Sequence, residues 1–476
     1  MKIPIFAAVL AGLVTCCPAD DLPDLGDSSQ QAISPQQERV LGENIMRQVR
    51  ADKDYIDDAE VADYLAGIGN RLVAVSADAR QPFEFFAVLD PSINAFALPG
   101  GFVGVHSGLL DAAQTESEVA SVLAHEIAHV TQRHLARLVA AQERAGLASL
   151  AALAVAILAA RSHSDASAAA IAAAQAGAIQ SQLNFTREHE READRLGLQT
   201  LERSGFDVHA MPVFFERLQK STRVYDTNAP SYLRTHPLTF ERIADIQNRL
   251  QKIAFRQVPD SLDFHLVKAK LRALEERPRE SLTYFETLVR EHRYASEAGA
   301  RYGLAFSYLR AGNVALAASE LVALTKLAER HPMIDALAAD IRAQSGDGDG
   351  ALAIYEKSLK TYPGKRALVS GYAGTLLANG RALDAAEFLR TKIEGGMADA
   401  RNYELQARSY AAAGKQLSQH RSLAESLVLR GNLPGAIEQL QLAAASKDGD
   451  FYQHSIVESR LRELKQLDLE EKKRRQ

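Results

Sequence analysis

His125-Glu126-Ile127-Ala128-His129 is the stretch on which the reading of this chain turns. On a helix, positions four apart share a face, so the two imidazoles can hold one tetrahedral Zn²⁺ while Glu126, about 100° round, reaches the water such an ion activates. That is the water-activating half of a metalloprotease. With 13 His in 476 residues the pattern would arise by accident in roughly a few per cent of chains of this composition, so its surroundings must decide. Thr115-x-x-Glu118 is a capping-box sequence, and Val119, Val122, Leu123 and Ile127 recur behind it at helical spacing, which predicts a helix from near Glu116. His134, about 180° round that helix from His125, reads as a solvated side chain and a poor ligand.

A catalytic zinc takes three protein ligands and leaves one position for water. The run Arg187-Glu188-His189-Glu190-Arg191-Glu192-Ala193-Asp194 offers four carboxylates, and helical geometry separates them. Glu190 and Asp194 fall on one side with Ala193, Gly197, Leu198 and Leu201, while Glu188 and Glu192 fall opposite among Arg191, Arg195, Gln199 and Glu202. A carboxylate on an apolar face is costly unless it is paired or bound to metal. Glu190 is therefore expected as the third ligand, and Asp194 as an acceptor behind a ligand histidine. The competing reading is an ordinary charged amphipathic helix.

Further out, Ser34 with Pro35 and Gln37 predicts a helix start, and a second helix is expected over residues 59–75. Residues 83–89 and 101–105 read as short strands flanking a turn region over 94–101. Residues 1–19 carry Lys2, an apolar stretch and a small-residue site at Cys17-Pro18-Ala19, which reads as a signal peptide cleaved before Asp20. Lipoprotein anchoring at Cys16 is the weaker competitor, because Thr15 fits poorly before the cysteine. Removal of that segment leaves no cysteine, which suits an oxidising periplasm. Residues 20–34 are acidic and polar, a flexible lead-in. Residues 145–160 are apolar but alanine-rich and short of the ~20 needed to span a bilayer. The net charge of −5 argues against a nucleic-acid partner.

After Arg256 the pattern changes. Gly312, Gly346, Gly380 and Gly414 recur every 34 residues, with Pro278 one period earlier, which is the period of the tetratricopeptide helix-turn-helix. Ala305, Ala339, Ala373 and Ala407 mark a small position in each first helix, and Ala317, Ala351 and Ala385 one in each second. Gly431 with Ala436 breaks the phase, so one helix is shared or added near the end. Stacked pairs of this kind make a solenoid with a concave binding face. The tail Lys472-Lys473-Arg474-Arg475 is expected to be solvated and frayed.

The HExxH motif, the following Glu190-x-x-x-Asp194, the upstream Asn94-Ala95-Phe96-Ala97-Leu98-Pro99-Gly100-Gly101 and the downstream Thr235-His236-Pro237-Leu238 together resemble the zinc peptidases typified by the CAAX prenyl endopeptidase. With the repeats included, the resemblance covers residues 35–470 and points to the periplasmic members of that family. It implies an endopeptidase and chaperone-like factor in outer-membrane protein quality control. The implied partners are outer-membrane β-barrel proteins, the barrel-assembly machinery and unfolded polypeptide substrates. It also implies that His236 sits over the zinc and can fill the water position, holding the enzyme latent; the bland alternative is a histidine merely preceding a helix-starting Pro237. It makes the segment near 102–106 the edge strand that binds an extended substrate. In membrane-embedded relatives the region of residues 145–183 holds transmembrane segments, so here it reads as helices over the active site or in peripheral contact with the membrane surface, with a plain buried hairpin an equal alternative.

The expectation is therefore a mainly α protein: a zinc metalloprotease domain with a small β-sheet over residues 35–256, then an α-solenoid of tetratricopeptide repeats over 262–470. His125, His129 and Glu190 hold one Zn²⁺ per chain, Glu126 is the base, and Asp194 and His236 assist. The other class of reading is a repeat-based binding and chaperone scaffold whose protease site is largely silent.

Overall fold

The computed structural model describes residues 33–141, 187–224, 231–328 and 330–475. The expected signal peptide over 1–19, nearly all of the expected lead-in and the alanine-rich stretch over 145–183 lie outside the described residues. Ser34 caps α1 (Pro35–Ala51), its hydroxyl accepting from the Gln37 N–H while the Gln37 side chain accepts from the Ser34 N–H. α2 (Ala59–Val73) starts from Asp58, whose carboxylate accepts from the N–H groups of Glu60 and Val61.

Three strands follow, β1 (Glu84–Val88), β2 (Ala95–Leu98) and β3 (Phe102–His106), in the order β1-β3-β2. β3 runs parallel to β1 and antiparallel to β2. Two expectations are corrected here. Residues 95–98, inside the expected turn region, form a strand, because the turn is confined to Pro99-Gly100-Gly101, with both glycines at positive φ (79° and 91°). And β3 is the central strand, buried along its length, so the edges are β1 and β2.

After α3 (Ser107–Ala112) comes α4 (Glu116–Thr131), capped by Thr115, whose hydroxyl accepts from the Glu118 N–H. The Glu118 carboxylate reaches back one residue further than a capping box requires, accepting from the Gln114 N–H at 2.6 Å, and Arg217 grips both its oxygens. α4 is buried from Glu116 to Val130 and packs against α2, β2, α6 (Arg187–Arg203) and α7 (Ala210–Val224). Val122, Leu123 and Ile127 are fully enclosed, each contributing about 1.5–3 kcal/mol of burial. α5 (His134–Ala141) leaves α4 after a break at Arg133, whose φ is 51°. α8 (Ser231–Thr235) and α9 (Phe240–Leu250) complete this part.

The remaining helices pair as α10 (Leu262–Glu275) with α11 (Pro278–Arg290), α12 (Glu297–Arg310) with α13 (Val314–Leu324), α14 (Pro332–Gln344) with α15 (Gly348–Thr361), α16 (Arg366–Ala378) with α17 (Ala382–Glu394), and α18 (Ala400–Ala412) with α19 (Gln416–Leu429). Gly312, Gly346, Gly380 and Gly414 sit in the intra-pair turns at φ 77°, 86°, 75° and 69°, which only glycine adopts cheaply. The seven repeat alanines are all buried. Gly431 turns the chain into the added α20 (Leu433–Ala445), which packs on α19, and α21 (Phe451–Arg475) closes the array. The expected fray is corrected: the helix continues through the basic tail, with Lys472 paired to Asp468 at 2.7 Å.

One hydrophobic core runs through both halves, joining Leu123 and Ile127 to Phe264, Leu266, Leu271, Tyr302 and Ile341. The first helices of the pairs curl round the start of α2: Lys270 on α10 lies 2.6 Å from both Asp58 and Glu60, Tyr302 on α12 reaches Glu60, Arg366 on α16 bonds Asp63 at 2.7 Å, and Arg401 on α18 reaches the Asp57 carbonyl. A cleft of about 320 Å³ remains there, lined among others by Tyr55, Asp57, Ser370 and Arg401. Among the described residues, no helix is long and apolar enough to cross a membrane.

Candidate active site

α4 carries His125 and His129 on its inward face, and α6 crosses it closely enough that a Cβ on Gly197 would stand 3.1 Å from the His125 backbone nitrogen. That approach brings Glu190 under the two imidazoles. His236, at the end of α8, enters from the other side, its N–H held by the Tyr232 carbonyl and its ring stacked on Tyr232 at 4.8 Å. One ligand atom from each of His125, His129, Glu190 and His236 lies within 4.8 Å of the others, and all four side chains are buried.

The distances suit a metal. His125 Nε2 is 3.0 Å from His129 Nε2, 3.4 Å from His236 Nδ1 and 3.6 Å from Glu190 Oε2, while Glu190 Oε1 lies 3.0 Å from His236 Nδ1 and 3.5 Å from His129 Nε2. A tetrahedron with metal–ligand bonds near 2.0–2.1 Å has edges of about 3.3 Å. The donor set agrees. His125 Nδ1 lies 3.1 Å from Asp194 Oδ1, which puts the ring proton there and turns a lone pair toward His129 Nε2. Lone pairs converging at such distances repel unless a cation lies between them.

The electrostatics show the same demand for positive charge at this point, which a proton on His125 meets when a metal does not. Burial opposes charge on His125, yet its contacts with Asp194 and Glu190 overcome that and push its pKa up to about 9. Burial likewise opposes ionisation of Glu190, but His236, His125 and Arg242 outweigh it and hold its carboxyl well below the usual range. Glu126 differs: burial dominates and raises it, with His236 and His125 only partly offsetting. The Ala97 N–H on edge strand β2 also favours its charged form, and its Oε1 lies 3.5 Å from His236 Nε2.

The six residues singled out from sequence thus meet at one point. Pro237, however, does not start a helix: Thr239 caps α9, with its hydroxyl accepting from the Arg242 N–H. Two participants were not anticipated. Arg242 binds Asp194 through both oxygens, at 2.7 and 2.8 Å, lies 2.7 Å from Glu190 Oε2 and donates to the Pro237 carbonyl, so it ties the carboxylates to the loop bearing His236. The legible signal was an arginine on the apolar stripe of Ile243, Ile246 and Leu250. His134 corrects the sequence reading outright. It is fully buried, with Nδ1 2.8 Å from His129 Nδ1 and Nε2 3.1 Å from Glu192, and burial pushes its pKa down to about 4. The break at Arg133 ends α4 and swings His134 back, so the angle expected of a continuous helix does not apply. Glu192, expected among solvated neighbours, is only partly exposed and is held by Arg137.

Comparison with known proteins bears on this geometry. Residues 59–250 match peptidase family M48. The chain is 37% identical over 421 residues to a putative beta-barrel assembly-enhancing protease of Vibrio cholerae, spanning 88% of this chain and 87% of that one. It is 34% identical over 457 residues to the beta-barrel assembly-enhancing protease of Escherichia coli, spanning 94% and 92%. A mitochondrial metalloendopeptidase of Schizosaccharomyces pombe is 32% identical over 187 residues, 39% of this chain and 52% of that one.

Proposed function

We propose, from the premise that this chain belongs to peptidase family M48 and among its members to the beta-barrel assembly-enhancing proteases, that it is a periplasmic zinc endopeptidase and chaperone-like factor that degrades misassembled outer-membrane β-barrel proteins. The observation that carries the reading is the buried convergence of His125, His129 and Glu190, with Glu126 enclosed beside them. These three would hold one Zn²⁺, which when bound polarises a peptide carbonyl and acidifies a water.

The chain's own residues supply the rest. Among the described residues β2 pairs only with β3, so its other edge would pair with an extended substrate, with Ala97 placing that edge beside Glu126. Glu126 takes the proton of the attacking water and later delivers it to the leaving amine nitrogen. Asp194, itself fixed by Arg242, keeps the proton of His125 on Nδ1. His236 fills the position a water needs, so the resting enzyme is latent until that loop moves. The division of labour follows the helices: residues 35–256 do the chemistry, and 262–470 present substrate or the barrel-assembly machinery.

A second reading, a scaffold whose protease site is largely silent, is favoured by one observation, the placement of His236 against Glu190 and Glu126. Casein degradation and metal content of the purified protein separate the two. Wild type should bind one zinc and degrade casein, Glu190→Ala should lose both, and Glu126→Gln should keep zinc while losing proteolysis. Full zinc occupancy in Glu190→Ala would move the third ligand elsewhere, and equal casein cleavage by Glu126→Gln and wild type would remove the base.

A further inference from the structure

The two histidines of α4 are treated alike on one side and differently on the other. Each turns Nε2 toward the common centre, and a metal-binding Nε2 must offer a lone pair, which leaves the proton on Nδ1. For His125 that proton meets a carboxylate, Asp194, which is clamped by Arg242. For His129 it meets another imidazole: His134 Nδ1, at 2.8 Å.

Only one assignment of protons satisfies this row. If His129 donates from Nδ1, His134 must accept on Nδ1 and carry its own proton on Nε2, which lies 3.1 Å from Glu192 Oε2. The opposite tautomer of His134 would face two N–H groups at one another and a lone pair at a carboxylate. Glu192 is in turn held by Arg137 at 2.8 Å. Each ligand histidine therefore ends in a carboxylate and an arginine, and His129 gets there through one extra ring.

Geometry explains the extra ring. Both carboxylates come from α6, the helix that bears Glu190. Asp194, four residues on from Glu190, shares its face and reaches His125 directly, whereas Glu192, two residues on, points about 200° away. Its carboxylate cannot touch His129. His134 bridges the gap because the chain breaks at Arg133 and tucks the ring beneath α4, where it also stacks on His189 at 4.5 Å.

We propose that His134 is a positioning residue for the metal site: with Glu192 and Arg137 it fixes the tautomer and orientation of His129 and raises the basicity of its Nε2. The proposal rests on reading His129 as a ligand, and the test keeps the two claims apart. Zn²⁺ affinity is measured by competition with a chromophoric chelator, the absorption of the Co²⁺-loaded protein reports the ligand geometry, and melting of the metal-free protein reports the fold.

His134→Phe keeps a flat ring but no acceptor, so it should weaken Zn²⁺ binding by about 10–100-fold and alter the Co²⁺ spectrum. His134→Gln, which can both accept and donate, should recover most of that loss. Glu192→Ala, at a partly exposed position that folding tolerates, should weaken binding about tenfold. A residue that merely fills space would lower the melting point of the metal-free protein and leave Zn²⁺ affinity alone. Affinity within twofold of wild type in Glu192→Ala, or equal losses in His134→Phe and His134→Gln, overturns the proposal. His129→Ala is the control. If that variant retains Zn²⁺, the ligand assignment fails rather than the role of His134.

Discussion

Replacing Lys270 with methionine should cost the whole protein about 3 kcal/mol. The ammonium is buried and sits 2.6 Å from both Asp58 and Glu60, so the variant leaves two enclosed carboxylates without their cation. Breaking a buried ion pair by removing one partner costs about 3–5 kcal/mol. The lower end applies, because burial already raises the Glu60 carboxyl despite Lys270, and once the cation is gone that group takes a proton instead of remaining an uncompensated charge. Urea unfolding at pH 7 measures the loss, and Lys270→Met combined with Glu60→Gln should recover about 1 kcal/mol of it. The pH dependence follows from Glu60 together with two further groups. Burial opposes the Asp58 charge, but Lys270 and the helix-start N–H groups hold its carboxyl below the usual range, so its contribution is present above about pH 4 and is lost as pH falls through the folded value. Burial opposes the Lys270 charge as well, but Glu60 and Asp58 raise its pKa, so its contribution is present below about pH 10.4 and is lost as pH rises through the folded value. The gap between wild type and variant should therefore widen as pH rises through neutrality, where folding the variant must protonate Glu60, and shrink below about pH 4. A loss under about 1 kcal/mol at pH 7 would refute the claim that this pair ties the repeats to α2.

His236→Ala gives opposite signs under its two possible roles. Under latency an unstructured peptide is cleaved faster by the variant at equal zinc occupancy; if His236 instead stabilises the developing oxyanion, turnover falls by about 10²-fold or more. A slower variant therefore rules out simple latency. Ala97→Pro removes the N–H that meets Glu126 and blocks pairing along β2, so kcat/KM on an extended peptide should drop at least tenfold while bound zinc is unchanged. Unchanged kcat/KM would separate the edge strand from substrate binding.

Much of the architecture was legible because it depends on short-range spacing. The i, i+4 placement of His125 with His129 and of Glu190 with Asp194 is a property of a single helix, and so is the 34-residue recurrence that puts glycine where the chain must turn at positive φ. What escaped depends on where a helix stops or what lies across from it. His134 was misplaced because one residue, Arg133, leaves the helical region, and a periodicity argument cannot see its own breaking point. Strand β2 hid inside a segment rich in turn residues because its four residues are defined by pairing with β3 rather than by composition. Arg242 shows in the sequence only as an arginine on an apolar stripe; its partners are fixed only once α9 lies beside α6. The repeats pair as read, but first helices of several pairs contact the start of α2, a contact no repeat pattern announces.

That last arrangement bears on how a captured polypeptide meets the peptidase centre. The start of α2 is gripped by the first helices of the array, and its length packs on α4, the helix bearing His125 and Glu126. A repeat module on a flexible leash delivers cargo at an effective concentration set by linker length, and trimming or extending the leash retunes it. Here there is no leash to trim. The path from any contact on the repeats to Glu126 is a fixed span, so a bound segment reaches the edge of β2 only if its own extended length matches that span, at roughly 3.3–3.6 Å per residue. If the repeats hold the substrate as proposed, selection would act on the reach of its loose segment, in the manner of a ruler.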